Sequence, residues 1–80
     1  MYTPMNIYAK NGDKVVVTEE SIRGGYDYHQ ELAQKHLHIG NIYTVDYTDV
    51  GGWHTDVYLK EFPDIAFNSV TFIDYKEEEE

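Results

Sequence analysis

Eighty residues without a single cysteine make one domain with a thin core: a chain this short buries only about two-thirds of the surface it exposes when unfolded, and no disulfide or thiolate metal site can staple it. Fifteen acidic residues against six basic ones give a formal charge of −9, which argues against nonspecific binding to nucleic acid or to an anionic membrane. No basic flank followed by an apolar run opens the chain, and no segment approaches the roughly 18 apolar residues of a membrane helix, so the expectation is a cytoplasmic protein with no membrane partner and no cofactor.

Taken in order, residues 1–6 carry Tyr2, Pro4 and Met5 without a clear period and read as a loose arm or an edge piece. Ile7, Tyr8 and Ala9 suit a short strand, and Lys10-Asn11-Gly12-Asp13 a turn, since Asn-Gly supplies positive φ at little steric cost. Residues 14–18, with three consecutive valines, are the first firm strand, because β-branched side chains fit a pleated, buried position. From 19 to 39 the pattern changes. Ser21, Gly24 and Gly25 mark loop, and 28–37 is rich in helix formers, with Asp27 as cap, Gln30 reaching back to it and Gly40 beyond the C-terminal end. Leu32, Ala33, His36 and Leu37 would form the apolar stripe by which so short a helix leans on a sheet.

Residues 40–62 read as two long strands joined by a hairpin. A two-residue turn at Gly51-Gly52 would set Val45 opposite Tyr58 and scatter the apolar side chains over both faces. Shifting the pairing by one gathers Tyr43, Val45 and Tyr47 with Trp53, Thr55, Val57 and Leu59 on the inside. It leaves Asp46, Thr48, His54, Asp56 and Lys60 outside. That register is the expected one, with a longer loop or a bulge around residues 50–53 absorbing the extra residue. Pro63 then ends the strand, 64–67 is the right length for a 3₁₀ turn, and a last strand runs from Val70 to near Tyr75. The terminal charge run 77–80 reads as a disordered acidic tail behind a single domain at 1–76.

The order strand, long excursion with a helix, hairpin, 3₁₀ turn, strand resembles an SH3-like barrel. Gly-Asn-Ile-Tyr-Thr-Val at 40–45 and the pieces Val-Tyr-Leu-Lys-Glu-Phe-Pro and Phe-Asn-Ser-Val-Thr-Phe within 57–72 resemble small uncharacterised proteins of bacteria and their phages. The resemblance covers about half the chain. It implies a mainly β, SH3-like antiparallel barrel of about five strands and a phage or mobile-element setting, without a biochemical role. The proline-peptide groove of signalling SH3 domains does not carry over, because their acidic loop and tandem aromatics have no counterpart here.

Chemistry-bearing patterns are sparse. His29, His36, His38 and His54 lack the i, i+4 spacing of a helical zinc site, so a histidine metal site stands only as an alternative. Gly24-Gly25 and Gly51-Gly52 precede no Lys-Ser/Thr and read as turns, and neither Ser21 nor Ser69 sits in a nucleophile motif, so no enzyme is expected. The surplus is aromatic: eight tyrosines and one tryptophan exceed what so small a barrel can bury. Tyrosine and tryptophan offer large contact area with few torsions to freeze, and loops on a rigid scaffold carry function. Tyr26, Tyr28, Trp53, His54 and Tyr58 are therefore the candidate surface of a module that binds a protein partner, with self-association also open through a barrel edge. A charge-based alternative uses Asp46, Asp49, Asp56 and Glu61 to imitate nucleic-acid phosphates toward a host nucleic-acid-binding protein.

Overall fold

The valines after Asp13 do form a strand, β1 (Lys14–Val16), shorter than the expected 14–18. The computed structural model describes residues 2–75, so the run 77–80, expected to be a disordered tail, lies outside the described residues. β1 stops early because Thr18 and Ser21 satisfy each other. The Thr18 N–H donates to Ser21 Oγ at 2.8 Å and the Ser21 N–H to Thr18 Oγ1 at 3.0 Å. This exchange opens a 3₁₀ turn, Ser21–Arg23, where only loop was expected. Val15 and Val17 nevertheless both point inward and are fully buried.

The remaining strands are β2 (Ile42–Val50), β3 (Thr55–Leu59), β4 (Phe62–Asn68) and β5 (Ile73–Asp74). All pair antiparallel, in the spatial order β4-β3-β2-β1-β5. Among the described residues β4 and β5 do not pair with each other, so the sheet is open where a closed barrel was expected. The helix, α1 (Asp27–His36), packs on β4, on the first 3₁₀ turn and on a second one, Ser69–Thr71. Ala33 and Leu37 of the expected stripe are buried, and Leu32 and His36 half-buried.

The N-terminal arm is neither loose nor a strand. Asn6 bends it into a turn, its Oδ1 accepting from the Tyr8 N–H at 3.0 Å and its carbonyl from the Ala9 N–H at 3.1 Å, which uses the groups a strand at 7–9 would have paired. The Met5 N–H donates to the Phe72 carbonyl at 2.9 Å and the Asn6 N–H to Asp74 Oδ1 at 3.0 Å, which ties the arm down beside β5. The Asn-Gly turn is present: Gly12 has φ +95° and its N–H donates to the Val45 carbonyl at 2.8 Å.

The hairpin puts Tyr43, Val45, Thr55, Val57 and Leu59 inside, as the apolar pattern requires. The extra residue is absorbed differently. The loop between β2 and β3 spans four residues, with Val50 opposite Thr55, and the bulge sits further down, at Asp46, between the Val45/Leu59 and Tyr47/Tyr58 pairs. Beyond that bulge Tyr47 is turned outward beside Tyr58, not inward, and Trp53 lies in the loop, 93 % exposed.

Two further expectations are corrected after Phe62. Pro63 does not end a strand, because β4 is a sheet edge and residues 63–66 fall where the pairing with β3 skips from Leu59/Phe62 to Val57/Phe67. The missing N–H therefore costs no ladder bond. The 3₁₀ turn comes later than 64–67, at Ser69–Thr71, where Asn68 Oδ1 accepts from the Val70 N–H at 3.1 Å, and this shortens the last strand to Ile73–Asp74. Phe67 and Phe72 meet edge to face in the core, centroids 5.9 Å apart and planes at 89°, both essentially unexposed.

Candidate functional site

Four stretches distant in sequence surround one open cleft of about 480 Å³. Ile7 comes from the arm, Gly25 and Tyr26 from the entry to α1, residues 51–54 from the β2–β3 loop with Thr55 at the start of β3, and residues 68–70 from the end of β4 and the second 3₁₀ turn. Tyr26 and Trp53 are its aromatic walls, 60 % and 93 % exposed. The loop that carries Trp53 closes on itself through the Gly51 N–H and the His54 carbonyl at 3.1 Å. A Cβ on Gly51 would stand 2.8 Å from that carbonyl oxygen, so only glycine fits.

Behind Tyr26 the helix start is built from side chains. Tyr26 occupies the N-cap position with extended backbone, and its N–H donates to His29 Nδ1 at 3.2 Å. Histidine thus takes the place a Glu or Gln holds in a capping box, which corrects the expected Asp27 cap. Gln30 does reach back, but to the Gly25 carbonyl, at 3.3 Å. Asp27 stands in the first turn, where its charge suits the helix dipole. Gly40 is likewise no helix cap: the helix ends at His36, and Gly40, at φ +87°, turns the chain into β2 with its N–H on the Val17 carbonyl at 2.7 Å.

His29 is the hub of the inner wall. It is 4 % exposed and lies 3.9 Å centroid to centroid from Tyr28, 5.6 Å from Tyr26 and 5.2 Å from His54. Tyr28 in turn stacks with Tyr26, planes within 9°. His54 Nε2 sits 3.0 Å from Asp56 Oδ1. Burial pushes the His29 imidazole below its ordinary 6.5; His54 adds to the shift and Asp56 opposes it.

Of the five candidates, Tyr26, Trp53 and His54 line the cleft and Tyr28 stacks against its wall. Tyr58 is on the outer face of β3, stacked on Tyr47 and apart from the cleft lining. His29, considered in the sequence only as a metal ligand, and Asn68 were not among the candidates for this surface. The one local signal was a histidine at the third helical position.

The other histidines do not join them. His36 rests on Phe62 and Phe67, His38 is exposed, and among the described residues no three histidine, cysteine or acidic side chains gather as metal donors. Three of the four carboxylates in the charge-based alternative are engaged within the fold. Asp46 accepts from Asn11 Nδ2 at 3.0 Å, Glu61 from the Thr44 N–H at 3.0 Å, and Asp56 holds His54. Among the described residues no helix is long and apolar enough to cross a membrane.

Fold and site together define a small, mainly β protein that presents an aromatic-walled cleft beside a short helix. A family model described as bacteriophage T4 protein Y07B matches residues 6–80. The chain belongs to that family, and the phage setting implied by residues 40–45 and 57–72 is borne out. Searches of curated proteins and of solved structures returned no match.

Proposed function

We propose that this phage-family protein is a non-enzymatic interaction module that engages a protein partner through the cleft, with Trp53 and Tyr26 as its two anchors. The observation that carries the reading is the placement of Trp53: the largest apolar side chain of the molecule stands 93 % exposed on a loop that glycine holds closed, lining the same cleft as a second exposed aromatic, Tyr26. Leaving an indole in water forgoes roughly 1.5–3 kcal/mol of burial, and tryptophan and tyrosine in pockets dominate the energetics of interfaces.

The strand order, the long excursion between β1 and β2, and the 3₁₀ turn between β4 and β5 support reading the scaffold as SH3-like, opened between β4 and β5. Charge carries less of the proposal, because three of the four carboxylates a phosphate mimic would display already accept hydrogen bonds from or pair with neighbouring groups of the fold. Self-association by edge pairing is also disfavoured, since the β4 edge exposes Pro63 and Asp64.

The test is co-precipitation with the intact chain from phage-infected cells at low and high salt. A partner held through the cleft persists as salt rises and is lost on Trp53→Ala and on Tyr26→Ala. A partner that falls away steeply with salt and survives both substitutions would replace this reading with charge mimicry.

A further inference from the structure

We propose that His29 is a proton-operated latch on the aromatic cleft: neutral, it fastens the start of α1 to the end of β4 and holds Tyr26 as a cleft wall; protonated, it lets that wall go. The consequence for binding rests on the cleft reading above, whereas the latch itself is a property of the free chain.

The argument is one of donors and acceptors. Asn68 Oδ1 accepts from the Val70 N–H at 3.1 Å, which orients the amide so that its Nδ2 points at His29 Nδ1, 3.2 Å away. The Tyr26 N–H points at the same Nδ1, also at 3.2 Å. Two donors aimed at one ring nitrogen require it to carry the lone pair, so His29 is the Nε2–H tautomer. A proton on Nδ1 would set three N–H groups head to head in a place that is 4 % exposed, where water cannot make good the loss. The helix start would lose its cap.

The surrounding charges do not undo this. From the β2–β3 loop, His54 faces the ring, and a positive His54 opposes a second positive charge; the Asp56 carboxylate on β3, 3.0 Å from His54, is the acidic group that favours it. From its own helix His29 meets Tyr28 and Tyr26, with Asp27 exposed in the same turn. β4 and the second 3₁₀ turn offer the neutral Asn68 and Ser69, and on the first 3₁₀ turn Arg23 is exposed and paired with Glu19 at 3.3 Å.

The link to the cleft is direct, because Gly25, Tyr26 and Asn68 all line it. Gly25, at φ +86°, is the joint immediately before the capped residue. Release of Nδ1 therefore frees a wall and part of the floor in one step, and binding through Tyr26 weakens in acid.

The experiment is a pH titration of the full, isotopically labelled chain by NMR, without any partner. At neutral pH the ring nitrogens of His29 should report Nε2–H. On acidification the Tyr26 amide and the Asn68 side-chain amide should move with the midpoint of the His29 ring, and amide exchange at the start of α1 should accelerate. Asn68→Asp, which swaps the opposing donor for an acceptor, should raise that midpoint by about one unit or more. His29→Gln, which installs the usual capping-box residue, should keep the helix and abolish the transition. An Nδ1–H tautomer at neutral pH, a His29 titration that leaves Tyr26 and Asn68 unmoved, or a transition that survives His29→Gln would each overturn the latch. Loss of the Trp53 and Tyr26 dependence in co-precipitation would overturn the cleft reading and leave these spectra unchanged.

Discussion

Tyr47 lies flat on Tyr58 across the β2–β3 ladder, centroids 4.5 Å apart and planes 13° from parallel, because the bulge at Asp46 turns Tyr47 out of the core and onto its neighbour's ring. A cross-strand aromatic pair of this kind contributes about 0.5–1.5 kcal/mol beyond the area it covers. A double-mutant cycle of Tyr47→Ala and Tyr58→Ala in urea should return a coupling energy in that range. A value near zero would mean that the rings do not stack in solution.

The same pairing affects the Tyr58 hydroxyl. Partial burial raises its pKa above the ordinary 10, and Tyr47, Asp56 and Asp49 raise it further. The folded chain therefore keeps this proton over a range where the unfolded chain has lost it, so stability falls as pH rises above about 10. Ultraviolet titration of Tyr58→Phe against the native chain should assign the missing transition to a midpoint above that value.

His29 gives the opposite dependence on the acid side. Its folded pKa lies below 6.5, so between the two values the unfolded chain binds the proton and the folded chain does not. The stabilisation is complete above about 6.5 and is lost as pH falls toward the folded value. Urea midpoints measured in this window should decline for the native chain and decline less for His29→Gln.

Two glycines with similar backbone angles should respond differently to alanine. Gly12 (φ +95°) has open space where a Cβ would go, whereas at Gly25 (φ +86°) the new atom would stand 3.0 Å from His29 Nδ1 and 3.2 Å from Asn68 Nδ2. Gly12→Ala should cost about 1–2 kcal/mol, the penalty of the left-handed conformation alone. Gly25→Ala should cost more than that, as read from denaturation midpoints, and should disturb the His29 and Asn68 resonances.

Exposure separates the two largest kinds of aromatic site. Phe72→Ala removes a fully buried ring and should cost about 3–5 kcal/mol, much of the stability of a domain this size. Trp53→Ala should change stability by less than about 0.5 kcal/mol while removing partner capture. A large stability loss at Trp53 would show that the indole is packed in solution.

The inner lining of the hairpin was legible because a period of two over Tyr43, Val45, Val57 and Leu59 leaves only one face free of charge. The location of the bulge was not. Tyrosine suits either face of a sheet, so nothing local told whether the extra residue falls near Val50 or at Asp46. Pro63 misled for a related reason, since a proline breaks a central strand and is harmless on an edge, and edge position is a property of the assembled sheet. Trp53, His54 and Tyr26 were recognisable as aromatic groups on loops. That Tyr58 belongs to a different patch depended on how the ladder was set.

Composition and local pattern by themselves determined a small acidic β protein with a short helix between its first two strands and an excess of aromatic side chains over the room available inside. Only the tertiary structure decided which of those aromatics share a cleft and that His29 bonds Asn68 across 39 residues of sequence. A side chain's periodicity records which face it takes, whereas the partner of a hydrogen bond between distant segments is chosen only when packing, here of α1 on β4, brings the distant donor to the acceptor.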